Sequence, residues 1–429
     1  MHHRRCPDTA LPNQLAKMFA SRKIIRPLNY ACRRLLSFGT FLCPLVMSAS
    51  IGADPPHETA VRVATYNVSL NRDEPGALVD DLRMGDSQQA ARIAEVVQRV
   101  RPEVLLLCEL DYDSNSEALE LFHTLYLARS KQGQPPIEYR HRFSGPVNTG
   151  LSSGRDLDRD GQFGGPADAV GFGRHEGQYG MALLSQYPIE RDRVRTFQHF
   201  LWQNMPGALL PRTPGDDTPY YSPADLAVLR LSSKSFWDVP VSISKAGHAL
   251  TLHMLCSHPT PPAFDGPEDR NGRRNHDEIL MVADYLDAQR GAYLVDDSGR
   301  RGAIDHRALF VVAGDLNADP HDGSSIPGAI EQLLAHPLVN AGTTPTSEGA
   351  VRAAAENPQQ NAKNRGNPAH DTADFGPRYM NLRVDYLLPS KRLRVGRSGV
   401  FWPRPGEPAA NAVKASDHRL VWLDIVVGH

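Results

Sequence analysis

Short apolar runs, each closed by a polar or acidic residue, recur along this 429-residue chain. Val61-Arg-Val-Ala-Thr-Tyr66 alternates with the period of a half-buried strand and delivers Asn67 at its end. Behind Ser87, a capping residue type, Ala90, Ile93, Val97 and Val100 recur at helical spacing, and Pro102 stops that helix. A buried strand from Val104 to Cys108 follows and ends at Glu109. Tyr179 to Ser185 and Ala249 to Cys256 are further predicted strands, the second running into His258. Ile279, Leu280, Ala283 and Leu286 predict a helix over about 275–288. Arg383 to Leu388, which carries Asp385, and Leu420 to Val427, preceded by Ser416-Asp417-His418, complete the strand set.

The run Ala308-Leu-Phe-Val-Val-Ala313 leads into Gly314-Asp315-Leu316-Asn317. Side chains alternate along a strand, so Asp315 and Asn317 point the same way and an acid and an amide share one pocket. That pairing suits a base or a metal ligand beside a neutral hydrogen-bonding partner. Alone, any such strand-end residue is more often a cap or a satisfied loop residue. Here Asn67, Glu109, His258, Asp315 with Asn317, Asp385 and Asp417-His418 all stand at strand ends. Neighbours on an extended strand face opposite ways, so Asp417 and His418 reach one pocket only from a loop entering the last strand.

Long polar segments at 148–178, 203–223, 259–274 and 342–377 interrupt the pattern, and loops of that length are functional or disordered. Residues 353–367, rich in Ala, Asn and Gln, lean toward disorder. No internal repeat and no second apolar pattern stands out, so one domain over 61–429 is expected, behind a linker at 54–60. Residues 1–53 differ in kind. Basic residues up to Arg33-Arg34 precede an uncharged stretch from Leu35 that closes in small residues, the order of an export signal, with Met18 as an alternative start and cleavage near 49–53. A partial twin-arginine route and an uncleaved membrane anchor are the alternatives; Pro44 and the serines and glycines make the stretch a poor span. The protein is thus expected to be exported, to the periplasm or beyond. Past the leader only Cys108 and Cys256 remain, both in apolar runs, which gives two small buried thiols or, as the alternative, one disulfide, and no disulfide scaffold. With 47 basic and 49 acidic residues, no whole-protein charge argues for a polyanionic partner.

Tyr66-Asn67-Val68, Leu107-Cys108-Glu109, the strand 179–185, Cys256-Ser257-His258-Pro259, Gly314-Asp315-Leu316-Asn317, Arg383-Val384-Asp385-Tyr386 and Ser416-Asp417-His418, in this order, resemble the endonuclease/exonuclease/phosphatase family of DNase I-like metal-dependent phosphoesterases. The resemblance spans about 60–427 and implies an α/β fold, a four-layered α/β/β/α sandwich of two packed, mainly antiparallel or mixed sheets. It further implies that Glu109 binds Mg2+ or Mn2+, with Asn67 beside it on the metal side and Asp417 as a further metal ligand or a support for the base. Asp315 would activate the attacking water, Asn317 and Asn67 would donate to phosphate oxygens, and His418 would contact the phosphoryl group as an imidazolium held by Asp385. His258 would protonate the leaving oxygen. The strand at 179 reads Tyr-Gly-Met-Ala where relatives often have Gly followed by Asn or Val, and Ser-His-Pro-Thr-Pro at 257–261 is an unusual nuclease setting.

Two further motifs stand apart. Asp156-Leu-Asp158-Arg-Asp160-Gly161 has the alternating oxygens and turn glycine of a calcium loop, though Ala167 stands where the closing acid belongs and Asp168 follows it. Calcium there, or a solvated turn, are the two readings. Arg270, Arg273 and Arg274 offer guanidinium forks for a substrate phosphate, or a solvated basic turn. His321, Asp322, His370 and Asp371 are weaker candidates. The expected activity is an exported, divalent-metal-dependent phosphoesterase acting on a small-molecule or lipid phosphate, or a nuclease of the same family, as a monomer without an obligate protein partner. A non-catalytic binding module on the same fold is the alternative of another class.

Overall fold

In the computed structural model the described residues are 59–427, so the expected leader and most of the linker lie outside them. The strands are β1 (Ala60–Leu70), β2 (Val104–Leu110), β3 (His141–Ser144), β4 (Met181–Ser185), β5 (Arg195–Thr196), β6 (Phe236–Lys245), β7 (His248–Ser257), β8 (Leu309–Asp315), β9 (Ala373–Asp374), β10 (Asn381–Leu382), β11 (Asp385–Pro389), β12 (Arg394–Phe401) and β13 (Leu420–Val426). The α-helices are α1 (Ala77–Arg83), α2 (Gln88–Val100), α3 (Glu117–Leu121), α4 (Pro223–Leu226), α5 (Arg270–Tyr285), α6 (Glu331–Leu334) and α7 (Glu348–Glu356). One sheet has the order β12-β13-β1-β2-β4-β3, the other β11-β8-β7-β6-β5, and β9 and β10 form a small pair of their own.

Side-chain alternation sorts the strands into three cores and hence four layers. Ala64, Tyr66, Leu105 and Leu107 face a core shared with Ile93, Val97 and Val100 of α2. Their neighbours Val61, Val63, Val104 and Leu106 face the other way, onto Val239, Met254, Val311 and Leu387 of the second sheet. The outer face of that sheet, with Leu255, Phe310, Val312 and Tyr386, packs on Ile279, Val282 and Leu286 around α5. The α/β/β/α expectation therefore holds, and Cys108 and Cys256 are buried free thiols in the layer between the sheets.

Two parallel pairs set the position of the site. β1 pairs with β2 in parallel across α2, and β7 with β8 in parallel across α5, so each pair brings two strand ends to one side. β11 runs antiparallel to β8 with Asp385 opposite Asp315, and β13 runs antiparallel to β1, so both begin at that same edge. A buried ion pair fixes the outer register: Arg62 Nε lies 2.7 Å from Asp424 Oδ1, its opposite number on β13, with the guanidinium over Trp422.

Several local expectations change. β1 continues past Asn67 to Leu70 through a register shift. Ser87 occupies the N-cap of α2, yet its hydroxyl donates to Asp81 and accepts no helix N–H. α5 begins at Arg270, five residues before the apolar period becomes visible, because Asn271 N–H is held by Asp265 at 2.6 Å. Residues 353–367 are ordered, against the compositional reading. α7 covers their start, seated by Ala350 in the core, and Asn364 donates to the Asn381 carbonyl at 2.9 Å. β6 and β12 went unmarked in the sequence pattern. Among the described residues no helix is long and apolar enough to cross a membrane.

Candidate active site

Gly314 decides how β8 meets β7. Its φ is +151°, and a Cβ there would lie 1.8 Å from the Ser257 carbonyl oxygen, so only glycine lets the two strand ends touch. The contact places His258, the residue after Ser257, beside Asp315: His258 Nε2 is 3.5 Å from Asp315 Oδ2. On the opposite side His418 Nε2 stands 3.6 Å from the same oxygen. Asn67 completes the ring, its Nδ2 donating at 3.0 Å to Asp315 Oδ2 across the sheets and at 3.0 Å to Glu109 Oε1 within its own sheet. Glu109 reaches this point from a left-handed backbone with φ 59°, an uncommon conformation for a non-glycine residue and one that gathers at functional sites.

His418 is held from behind. Its Nδ1 lies 2.9 Å from Asp385 Oδ2, and Thr372 Oγ1 donates to that oxygen at 2.8 Å while accepting from the Val384 and Asp385 N–H groups. Ser416 fixes the loop into β13 by donating to the Asn67 carbonyl at 2.8 Å and accepting from His418 N–H. The expected placement of Asp417-His418 on a loop therefore holds, but the two side chains part company. His418 is buried, whereas Asp417 is exposed and accepts from Ser69 Oγ at 3.1 Å.

Electrostatics divide the two histidines. Burial alone would push His418 down, but Asp385, Asp315 and Asp417 together hold it well above the usual histidine range, as an imidazolium. Burial pushes His258 well below that range, and the nearby charges of Lys234 and His418 add to this, so it is neutral. Asp315 is pushed up to about 7, first by burial and then by the charges of Asp385 and Glu109, against the opposing pull of His418 and Asn67. Burial likewise raises Glu109. Ligand atoms of Glu109, His258 and Asp315 lie within 4.8 Å of one another, as do those of Asp315, Asp385 and His418. Asp385 Oδ1 is buried without a partner. Three carboxylates drawn together, with the His418 imidazolium the only cation bonded to any of them among the described residues, suit a divalent cation, and the oxygen donors suit a hard one.

Of the residues expected from the sequence, Asn67, Glu109, His258, Asp315, Asp385 and His418 come together. Four of the expected residues have other contacts in the folded chain. Asp417 lies on the exposed rim and is absent from both ligand groups, because its side chain turns to Ser69. Asn67 faces Glu109 and Asp315 with its amide nitrogen while its oxygen accepts from Ser69 N–H. Asn317 sends its amide to the Pro259 carbonyl at 3.2 Å; its main-chain N–H, at 3.0 Å from Asp315 Oδ1, is what supports the acid. A neutral His258 offers a single ring N–H as a hydrogen-bond donor.

The arginine cluster goes elsewhere. Arg274 is buried and spends its guanidinium on the carbonyls of Leu231, Val170 and Arg230, Arg270 pairs with Glu268, and Arg273 bonds the Glu268 carbonyl, so these forks serve the fold. In the acidic loop Asp156 and Asp158 converge with Asp168, not with Asp160, whose carboxylate turns to Gln162. Asp319 and Asp322 bind main-chain N–H groups around His321 and Gly366, while Asp371, near them, is raised to about 7 by burial and by their charges.

Three contributors had no mark in the sequence pattern. Asn71 donates to Glu109 Oε2 at 2.9 Å, and Thr372 holds Asp385. Lys234, buried, is the third, and it lies near enough to Glu109 and His258 to lower both. A lysine inside Ser232-Ser-Lys-Ser235, just ahead of the alternating run of β6, was the available signal.

A layered α/β sandwich with an acid–histidine cluster at the shared edge of its two sheets is the class of protein defined so far. The chain belongs to the endonuclease/exonuclease/phosphatase family, whose model matches residues 64–418. Among solved structures, an endonuclease/exonuclease/phosphatase from Beutenbergia cavernae is 16% identical with a TM-score of 0.46, the match covering 86% of this chain and 72% of that one. Sphingomyelinase C from Streptomyces griseocarneus is 14% identical at a TM-score of 0.41, covering 85% and 99%. The mannosyl-6-phosphatase of Bacteroides thetaiotaomicron is 12% identical at 0.42, covering 85% and 99%. No curated protein matches the chain.

Proposed function

We propose that the chain is a divalent-cation-dependent phosphoesterase that hydrolyses a phosphate ester by in-line attack of water. The observation that carries this is Asp315, held between the Asn67 amide and the His418 imidazolium and opposite Asp385 in register. Asp315 takes the proton of the attacking water, and Asn67 and the Asn317 main chain keep its carboxylate in place. His418 donates from Nε2 to a phosphoryl oxygen, because Asp385 occupies Nδ1 and keeps the ring charged. His258, neutral, offers a hydrogen bond to the leaving oxygen without carrying its proton. Glu109, whose carboxylate faces the same space, would hold Mg2+ or Mn2+, which supplies charge neutralisation at the phosphoryl oxygen and leaving group. No covalent enzyme intermediate is needed; positioning and charge complementarity carry the reaction. Export is part of the same proposal and rests on the basic, apolar and small-residue order of residues 1–53.

The purified chain is assayed with Mg2+, Mn2+ or EDTA on a phosphomonoester, a phosphodiester and plasmid DNA. Turnover on an ester that EDTA abolishes supports the reading. Turnover on plasmid DNA alone makes it a nuclease. No turnover on any of the three, with cation present, leaves a binding module and sinks the hydrolase.

A further inference from the structure

Lys234 is the cation that the proposed chemistry has not yet used. It sits in Ser232-Ser-Lys-Ser235 just before β6, only 6% exposed. Its backbone is clamped on three sides. Asn148 N–H donates to the Lys234 carbonyl at 2.9 Å, Asn148 Nδ2 donates to the Ser232 carbonyl at 2.8 Å, and Ser233 N–H donates to Glu278 Oε1 at 2.6 Å. Glu278 spends its other oxygen on Thr260 N–H, also at 2.6 Å. Thus the carboxylate with the largest influence on Lys234 already has main-chain donors on both oxygens. No hydrogen bond or ion pair to the Lys234 ammonium is found among the described residues.

Burying an ammonium without a close partner costs free energy that an apolar side chain of the same length would avoid. Here burial lowers Lys234, while Glu278, Glu109 and Asp315 act to keep it charged. β6 opens with Phe236 opposite Ser257 of β7, and Glu278 ties Ser233 to Thr260, so Lys234 stands at the His258 end of the strands, where its charge acts on Glu109 and His258. His418, the other cation, is on the Asp385 side of Asp315 and already committed to that partner. Two cations therefore bracket the acid cluster, one engaged and one with free donors. A tetrahedral anion presents several acceptor oxygens at once and matches both.

We propose that Lys234 is a phosphate-contacting residue of this site, its Nζ donating to a non-bridging oxygen of the substrate phosphoryl group on the Glu109–His258 side. The proposal rests on the phosphoesterase reading for what the phosphoryl group belongs to, but its test does not. Inorganic phosphate is titrated into the full chain in EDTA, by calorimetry, for the wild type, Lys234→Met and Lys234→Arg, beside thermal melts of each. A charge-assisted contact predicts that Lys234→Met weakens phosphate by about tenfold to a hundredfold while melting no lower than the wild type, with Lys234→Arg recovering part of the affinity. With a hydrolysable ester and Mg2+, the same variant raises KM more than it lowers kcat, since the contact exists before the transition state. Phosphate affinity within twofold of the wild type in a folded Lys234→Met would overturn the proposal and leave Lys234 as a counter-ion of Glu278. Should Lys234→Met fail to fold, Lys234→Gln carries the same comparison with a polar head. Lys234-dependent phosphate binding without turnover on any ester would defeat the hydrolase and spare this inference; turnover with an indifferent Lys234→Met would do the reverse.

Discussion

Among the described residues, two places gather three ligating side chains within 4.8 Å, the strand-end cluster around Asp315 and the loop cluster of Asp156, Asp158 and Asp168. Each also has one buried carboxylate oxygen without a partner, Asp385 Oδ1 in the first and Asp156 Oδ1 in the second. What differs is who satisfies the rest. Around Asp315 and Glu109 the donors are mainly side chains, the amides of Asn67 and Asn71, with two imidazoles 3.5 and 3.6 Å away. In the loop they are main-chain N–H groups: Leu157 and Gly164 to Asp168, Gly161 to Asp156 and Asp160 to Asp158. A side-chain amide or imidazole can turn toward an arriving ion or phosphate at the cost of one rotamer. A main-chain N–H cannot, because it is the loop's own architecture. The same residue types therefore make a responsive site in one place and a structural knot in the other.

The comparison breaks most visibly in turnover. Asp315→Asn and His418→Ala should each cost on the order of a thousandfold in kcat, one removing the proton acceptor and the other the cation facing the phosphoryl group. Asp156→Asn, in the loop, should leave kcat within about threefold if the loop acts only through the fold. Steady-state rates on one ester decide it; equal losses in the two regions would mean that the loop joins the chemistry.

A second difference is readable in stability against pH. The Asp315 carboxyl is raised from its ordinary value to about 7, so between the two values the folded state holds a proton that the unfolded state has released. Stability from this group is full in acid, falls as pH rises through that window and is gone above about 7. In EDTA, Asp315→Asn should therefore melt several degrees higher than the wild type at pH 8, with the gap closing toward pH 4. Mg2+ should reverse the order at pH 8 by stabilising the wild type alone. Melts of both proteins in EDTA that shift in parallel from pH 4 to pH 8 would show that Asp315 is not a strained acid.

Sequence reasoning reached the Asp315 cluster for a physical reason. Each member stands at one end of a run of buried apolar residues, Asp385 and His418 ahead of theirs and the others behind, and the end of such a run is visible without knowing what it packs on. Gly314 was equally legible as part of its motif, although its reason, the Ser257 carbonyl pressed against it, belongs to the pairing of β7 with β8. Lys234, Asn71 and Thr372 could not be reached that way. They stand in polar local sequence, and only the folded chain brings them to Glu109, His258 or Asp385. The same limit hid α7, whose Ala-rich pattern reveals nothing of the Trp402 carbonyl that receives Ser347. It also promoted the three arginines, whose spacing resembles a phosphate fork until Arg274 is seen holding three main-chain carbonyls.

The smallest expected effects separate the two readings of the loop itself. A calcium loop of the spacing written in 156–161 needs Asp160 as its third oxygen, whereas the geometry gives that place to Asp168. Asp168 is 4% exposed and takes Leu157 N–H at 2.7 Å and Gly164 N–H at 3.0 Å, so Asp168→Ala strands two donors. That should cost about 2 kcal/mol, seen as a lower denaturation midpoint with the slope unchanged. Asp160 is exposed and bonds only within its own turn, to the main chain and amide of Gln162, so Asp160→Ala should stay within about 0.5 kcal/mol. Asp160→Ala and Asp156→Asn are then melted with and without calcium. Any rise that calcium gives the wild type should survive in Asp160→Ala and vanish in Asp156→Asn, because the converging oxygens are those of Asp156, Asp158 and Asp168. Loss of the calcium response in Asp160→Ala would restore the spacing written in the sequence and mean that the loop rearranges around an ion.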